Sequence, residues 1–216
     1  MAVLVFANGI IEDVAWIRPY FPQATAIIAA DGGSRHLLAL NQLPDVVIGD
    51  MDSLSDEVRG WLAGTAVNRS IQFIPHPPAK DETDLELALL HAVARFEDDI
   101  LLFGALGGRL DQILANILLL AHPALAQRPI FLVTENERAW LVTNETEIQG
   151  KPGDIVSLIP LGGDALVGQT TGLEWPLQDE LLAFGLARGI SNVLIKDTAH
   201  VSVKNGRLLC IHERKS

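Results

Sequence analysis

The stretch Val46-Val47-Ile48-Gly49-Asp50-Met51-Asp52-Ser53 decides how this chain is read. Three β-branched residues run into a glycine and then into two aspartates. A short continuous apolar run is what a strand buried on both faces of a parallel sheet needs. The glycine and the acids mark where the chain leaves the sheet. The pattern recurs along the first half of the chain. Thr25–Ala29 leads to Asp31-Gly32-Gly33. Ile71–Ile74 leads, through the bend Pro75-His76-Pro77-Pro78, to Lys80-Asp81-Glu82-Thr83-Asp84. Ile100–Phe103 leads to Gly104 and Gly107-Gly108-Arg109-Leu110-Asp111-Gln112. Val3–Ala7 is a further strand candidate, ending at Asn8.

Helical signals fit between these runs. From Glu82, the residues Leu85, Ala88, Leu89, Ala92, Val93 and Phe96 form one apolar stripe at helical spacing. A second helix is expected over about 111–121, stopping at Pro123. Strand–helix alternation predicts a doubly wound, mainly parallel α/β domain over 1–135. Beyond Pro129 the pattern changes to short strands separated by Pro152-Gly153, Gly162-Gly163-Asp164 and Asn205-Gly206. Strands are expected at Ile130–Thr134, Ala139–Thr143, Ile155–Ile159, Val193–Lys196, Val201–Val203 and Arg207–Ile211. Asn205-Gly206 between two alternating runs predicts a type I′ hairpin. The second domain, over 140–213, is therefore read as a smaller antiparallel, β-sandwich-like unit.

The chain has 216 residues, a net charge of −11 and one cysteine, Cys210. The acidity disfavours a nucleic-acid partner, which would require a basic face. One cysteine allows no internal disulfide and fits a reducing compartment such as the cytoplasm. Ala2–Ala7 lacks a basic leader and reads as a strand, and no apolar run approaches membrane-spanning length.

In an open α/β sheet, ligands bind beyond the carboxyl ends of the strands. The acidic motifs are thereby gathered at one sheet edge. In an extended segment Asp50 and Asp52 would point the same way and repel one another. A hard cation such as Mg²⁺, bridging to phosphates, relieves that repulsion. The plainer alternative has Asp52 and Ser53 capping the following helix. Likewise Asp81 and Asp84 can serve as N-cap and first-turn acid of the Glu82 helix. Lys80 has no such explanation: it is the only lysine in the first 150 residues and suits a phosphate. Asp31-Gly32-Gly33 allows close backbone approach to a ligand, or is an ordinary turn. Gly107, Gly108 and Arg109 offer a phosphate cradle with a bidentate cation, or a turn with a solvated Arg109–Asp111 pair. The loop is neither a Walker loop nor a dinucleotide fingerprint.

Taken in order, GDxDS, DxTD and GGRxD resemble the catalytic domain of the thiamine pyrophosphokinase family. The resemblance continues through Thr171-Gly172-Leu173-Glu174-Trp175-Pro176-Leu177, Leu182-Ala183-Phe184-Gly185 and Ile190-Ser191-Asn192, and so covers nearly the whole chain. It implies transfer of the terminal diphosphate of ATP to the hydroxyethyl group of thiamine, giving AMP and thiamine diphosphate. It implies Mg²⁺ on Asp50, Asp52 and Asp84. It places Asp31, Gly32, Gly33, Ser53, Lys80, Thr83, Gly107, Gly108 and Arg109 around the nucleotide, with Asp81 among the catalytic residues. Thiamine would meet Asp111, Gln112, Trp175, Ser191 and Asn192, in a homodimer with the thiamine site near the subunit interface. Many family members carry histidine where this chain has Gln112, so a general base is not expected there. Diphosphate transfer to another hydroxymethyl heterocycle such as a pterin, a nucleotide-sugar transferase, and a non-catalytic sensor remain alternatives from the residues alone.

Overall fold

The computed structural model describes residues 1–65, 70–77 and 79–215; Pro78 of the expected bend lies outside them. The chain forms two compact units, Met1–Glu135 and Asn136–Ser216.

The first unit is built on six parallel strands: β1 (Ala2–Phe6), β2 (Ala24–Ala30), β3 (Val46–Gly49), β4 (Gln72–Pro75), β5 (Asp99–Phe103) and β6 (Ile130–Val133). Their order is β6-β5-β1-β2-β3-β4. The chain steps outward from β1 to β4, then returns to the other side of β1. The order therefore reverses between β1 and β5, which is where such sheets open a crevice. Four α-helices connect strands: α1 (Ser34–Leu40), α2 (Asp56–Thr65), α3 (Asp84–Arg95) and α4 (Leu110–Leu119). The β1–β2 connection, Ala15–Gln23, is a 3₁₀ segment instead. Pro19 and Pro22 deny it the N–H groups a regular α-helix needs.

The continuous apolar runs of β1 and β2 are buried as expected of an internal parallel sheet. Leu4, Phe6, Ile27 and Ala29 pack with Leu37 and Leu40 of α1 and with Val58 and Leu62 of α2. Phe6 stacks on Phe103 across β1 and β5, ring centres 5.2 Å apart. The stripe of α3, Leu85, Ala88, Leu89 and Ala92, is buried, and the helix packs on β1, β2 and β3.

Two helix starts differ from expectation, with consequences for the site. The cap of α3 is Thr83, whose Oγ1 accepts the Glu86 N–H at 3.1 Å, and not Asp81. Thr83 and Glu86 have the spacing of a capping box, which outcompetes Asp81 three residues before Asp84. Ser55, not Asp52 or Ser53, accepts a first-turn N–H of α2, from Val58 at 3.3 Å.

The second unit contains β7 (Glu137–Val142), β8 (Glu145–Gln149), β9 (Ile155–Pro160), β10 (Ala165–Thr171), β11 (Gln178–Leu182), β12 (Asn192–Val193), β13 (Thr198–Asn205) and β14 (Leu208–Glu213). They form two antiparallel layers, β12-β9-β14-β7 and β11-β10-β13-β8. Val156, Leu158, Val167, Val201, Leu208 and Cys210 belong to the shared core. The sequence did not signal β8, β10 and β11. Glu145-Thr146-Glu147-Ile148-Gln149 fully buries only Ile148, so its apolar signal is a single residue.

The expected Asn205-Gly206 hairpin is not formed. β13 pairs with β10 and β8, whereas β14 pairs with β7 and β9. A type I′ turn needs positive φ at both central residues, but only Gly206, at φ 83°, has it. The dipeptide is a corner that carries the chain from one layer to the other.

Asp154 ties this unit together. It is 3 % exposed. Its Oδ2 accepts the Lys151 N–H at 3.0 Å and His212 Nε2–H at 2.9 Å, and its Oδ1 accepts the Lys215 N–H at 3.0 Å. Burial alone would push this carboxyl up, but these donors outweigh it and hold it below its ordinary value. A depressed carboxyl stabilises the fold above its unfolded value and ceases to do so as pH falls through the folded one. Asp154→Ala is expected to cost about 3–5 kcal/mol in urea unfolding at neutral pH, because His212 and two N–H groups lose their partner. The difference from the parent protein should shrink below about pH 4, near the ordinary carboxylate value.

Candidate active site

The site starts from the turn after β2. Asp31 has φ 39° and opens the 3₁₀ turn Asp31–Gly33. This turn presses on β1: a Cβ on Gly33 would lie 2.1 Å from the Phe6 carbonyl oxygen. Only glycine permits that approach. The Asp31 side chain is thereby carried inward and is 1 % exposed. Its Oδ2 accepts the Ser53 N–H at 3.1 Å, and its Oδ1 is buried with no hydrogen-bond partner.

Two further carboxylates converge on it. One oxygen each from Asp31, Asp50 and Asp84 lie within 4.8 Å of one another. Gly49, at φ 145°, makes the convergence possible: a Cβ there would sit 2.8 Å from Asp31 Cβ and 2.9 Å from Asp84 Cγ. Lys80 Nζ lies 2.5 Å from Asp84 Oδ1. Burial, reinforced by the charges of Asp84 and Asp50, raises the Asp31 carboxyl above its ordinary value despite the Ser53 hydrogen bonds. Asp50 is held low, first by the Asp52 N–H and also by Lys80.

Asp52 is not in this cluster. Met51 adopts φ 65°, so the segment bends and the two-residue alternation of an extended chain is lost. The Asp52 N–H donates to Asp50 Oδ1 at 3.1 Å, and its exposed carboxylate accepts the Ser53 hydroxyl at 3.0 Å. Asp31 takes the place that two-residue spacing assigned to Asp52. Arg59 of α2 braces the bend through the carbonyls of Leu54 and Met51.

A cavity of about 160 Å³ adjoins the cluster, lined among others by Asn8, Gly32, Ser53, Thr83, Gly107 and Gln112. Gly108, Arg109, Asp111 and Asp81 do not line it. Arg109 is paired with Asp111 in a bidentate contact, Nη2–Oδ2 2.6 Å and Nε–Oδ1 3.1 Å. Both side chains project into solvent at the start of α4. The hydrogen bonds from Arg109 hold the Asp111 carboxyl low.

In the second unit Trp175 is exposed, and Ser191, at φ 56°, donates its N–H to Ser157 Oγ at 3.0 Å. Asn192, expected to meet thiamine, has its side chain engaged within the unit. It is buried, its Oδ1 accepts the Trp175 N–H at 3.1 Å, and its Nδ2 donates to the Trp175 carbonyl at 2.7 Å. It orients the Trp175 segment, and its amide is already engaged.

Sequence reading missed the braces. Arg35 donates to the carbonyls of Asn8 and Gly9, both at 2.9 Å, and His36 Nε2–H donates to Gly9 at 2.8 Å. Asn116 Nδ2 holds the Ala105 carbonyl at 2.7 Å. The available signal was helical position: each lies in the first or second turn of a helix that follows a glycine turn.

Residues 17–132 match the family model described as thiamin pyrophosphokinase, catalytic domain, and residues 143–208 match the thiamin pyrophosphokinase, vitamin B1 binding domain. The chain belongs to the thiamin pyrophosphokinase family. Thiamine pyrophosphokinase of Bacillus subtilis (strain 168) is 30% identical over 209 residues, covering 96% of each chain. The crystal structure of thiamine pyrophosphokinase from B. subtilis superposes with TM-score 0.88 at 27% identity, covering 100% of both chains. That of the thiamin pyrophosphokinase from Geobacillus thermodenitrificans gives 0.85 at 28% identity, covering 100% of this chain and 99% of the other. Both architectural expectations, a parallel α/β unit and an antiparallel β unit, agree with these family structures.

A buried carboxylate with an unpartnered oxygen, gathered with two further carboxylates, suits a hard cation. With no cation, a raised carboxyl favours the fold only while it is protonated, and its contribution is lost as pH rises through the folded value. Asp31→Asn should therefore raise the thermal midpoint of the metal-free protein at neutral pH. The same variant should lose the further rise that Mg²⁺ gives the parent, and differential scanning fluorimetry with and without MgCl₂ reads both.

Proposed function

We propose that this chain transfers the terminal diphosphate of ATP to the hydroxyethyl oxygen of thiamine, releasing AMP and thiamine diphosphate. The observation that carries it is the convergence of Asp31, Asp50 and Asp84 beside Lys80 in a chain of this family. Carboxylates gathered without equal cationic charge suit Mg²⁺ bound to a polyphosphate. Mg²⁺ would neutralise charge on the transferring phosphates. Asp31, Asp50 and Asp84 would hold it, and Asp52 stands close enough in sequence to add a water-mediated contact.

The remaining residues act by position. Were Asp84 engaged in holding Mg²⁺, the Lys80 ammonium now paired with it would be available to phosphate. Ser53, Thr83 and Gly32 border the same cavity and offer hydroxyl and backbone donors. Arg109 would swing from Asp111 to the phosphates, a movement its exposure permits. Gln112 borders the cavity from α4, where it can face the thiamine alcohol. In the β unit, exposed Trp175 offers an aromatic face to the cationic thiazolium, with Ser191 beside the Asn192 brace.

We also propose a homodimer with the thiamine site near the subunit interface. Leu110, Leu114 and Leu118 recur every fourth residue along α4 and are 75%, 52% and 53% exposed. A stripe this apolar calls for a cover, and it lies on the helix that carries Asp111 and Gln112. We place the enzyme in the cytoplasm, which supplies ATP and keeps Cys210 reduced. Among the described residues no helix is long and apolar enough to cross a membrane.

Chromatography of a reaction with thiamine, ATP and Mg²⁺ should give AMP one-for-one with thiamine diphosphate. ADP with thiamine monophosphate would overturn diphosphoryl transfer. Asp50→Asn and Asp84→Asn should each lower kcat/KM by about 10²-fold or more, and Asp52→Asn by clearly less. Equal losses for all three would return Asp52 to the metal.

A further inference from the structure

A second cavity of the first unit has no role in the proposal above. It has a volume of about 220 Å³ and lies beyond the carboxyl ends of β5 and β6, beside the loop that leaves β1. Ile10, Trp16 and Leu106 give it apolar and aromatic walls, and Glu12, Asp13 and Glu135 border it. Among the described residues no lysine, arginine or histidine lines it. The site's other cavity, next to Asp31 and Asp84, shares one lining residue with it, Gly107. Gly107 has φ 83°, and a Cβ there would meet the Ile10 carbonyl oxygen at 2.9 Å, so the partition between the cavities is only backbone thick.

We infer that this second cavity binds the adenine ring of ATP and that Glu12 selects a 6-amino over a 6-oxo purine. The inference rests on ATP being the diphosphate donor. The electrostatics divide the nucleotide between the cavities. A phosphate has no cation to meet in the Ile10–Trp16 cavity and would be repelled by its carboxylates. A flat, uncharged heterocycle gains from apolar and aromatic walls, and an exocyclic amine donates to a carboxylate. A 6-oxo group at the same position would set an acceptor against an acceptor, and that hydrogen bond would be lost. Asp13 already accepts the Ala15 N–H at 2.8 Å. Glu12 is exposed and has no protein partner among the described residues, which leaves its carboxylate for the ligand. The triphosphate and the base belong to one molecule, so the cavity sharing a wall with the acidic cluster is the one the base can reach. The crevice between β1 and β5 is also where the strand order reverses, the place where such sheets receive ligands.

Two variants of the full chain test this. Ile10→Trp fills the cavity from its exposed mouth; Ile10 is 60% exposed, so the fold tolerates the change. Its KM for ATP should rise about tenfold or more, with the KM for thiamine and inhibition by magnesium tripolyphosphate unchanged. Glu12→Gln supplies an amide that can donate to a 6-oxo group, and should lower the ATP-to-ITP ratio of kcat/KM about tenfold. Calorimetric titration with AMP alone gives an independent reading, and affinity should fall in Ile10→Trp. An unchanged KM for ATP, or a rise in the KM for thiamine instead, would overturn the inference, the latter assigning the cavity to the aminopyrimidine. Failure of the parent protein to turn over thiamine would sink the proposed reaction but not the cavity, provided AMP binds the parent and is lost in Ile10→Trp.

Discussion

The first unit is organised around a repulsion. Asp31, Asp50 and Asp84 are brought within 4.8 Å of one another, and the innermost is almost wholly buried. Left to themselves, three carboxylates would move apart. They are held by backbone: the Asp31–Gly33 turn pressed on β1, the positive φ of Gly49 and Met51, and a helix whose cap is Thr83. These constraints are costly in a metal-free protein, as the raised Asp31 carboxyl indicates. Backbone strain that persists because its surroundings over-determine it is typical of functional sites. The braces Arg35, His36, Arg59 and Asn116 are part of that over-determination. Arg59 satisfies carbonyls of the bend after Asp50, and Arg35, His36 and Asn116 satisfy those of the adjoining loops after β1 and β5.

The parallel sheet explains why this arrangement can exist at all. Its strands end at one edge, so residues as distant as Asp31 and Asp84 meet without any local contact in sequence. Because the inner runs β1, β2 and β3 are buried on both faces, their register is fixed by packing over the whole strand. The acids inherit that precision. The β unit has the opposite economy. Its outer layer is half wet, and its cohesion depends on few polar hubs, of which Asp154 joins the 151–154 turn, β14 and the chain beyond it.

Much of this was legible in the sequence where apolar pattern decides. The five strand candidates of the first 125 residues each lie on an observed strand, and the buried stripe of α3 is the one its spacing gives. The motifs that carry Asp31, Asp50 and Asp84 also meet at one sheet edge, as their positions after strands imply. What failed were inferences that depend on φ. Extended geometry was assumed for Asp50–Asp52, but Met51 is left-handed, and Asp31 joined the cluster instead. A type I′ turn was assumed for Asn205-Gly206, but each flanking strand had a stronger claim in a different layer. Nor did the sequence show that the buried Asn192 gives its side-chain amide to the Trp175 backbone. Strands β8, β10 and β11 were missed because a wet face hides half the alternation.

The acid cluster and the Arg109–Asp111 pair together bear on how the alcohol loses its proton. Asp111 is a poor base as it stands, because Arg109 holds its carboxyl low. Asp81 is exposed and lies outside the cavity lining. Asp111, held low by Arg109, is not tuned toward the operating pH as a general base would be. If Arg109 moves to phosphate, Asp111 loses its strongest partner, and its carboxyl rises toward its ordinary value as the donor is bound. Basicity at Asp111 would then be coupled to nucleotide binding, because one guanidinium serves both. Even so, an ordinary carboxylate is a weak base near neutral pH. The proposed reaction therefore depends mainly on charge neutralisation and alignment of the alcohol with the β-phosphorus, with proton removal late.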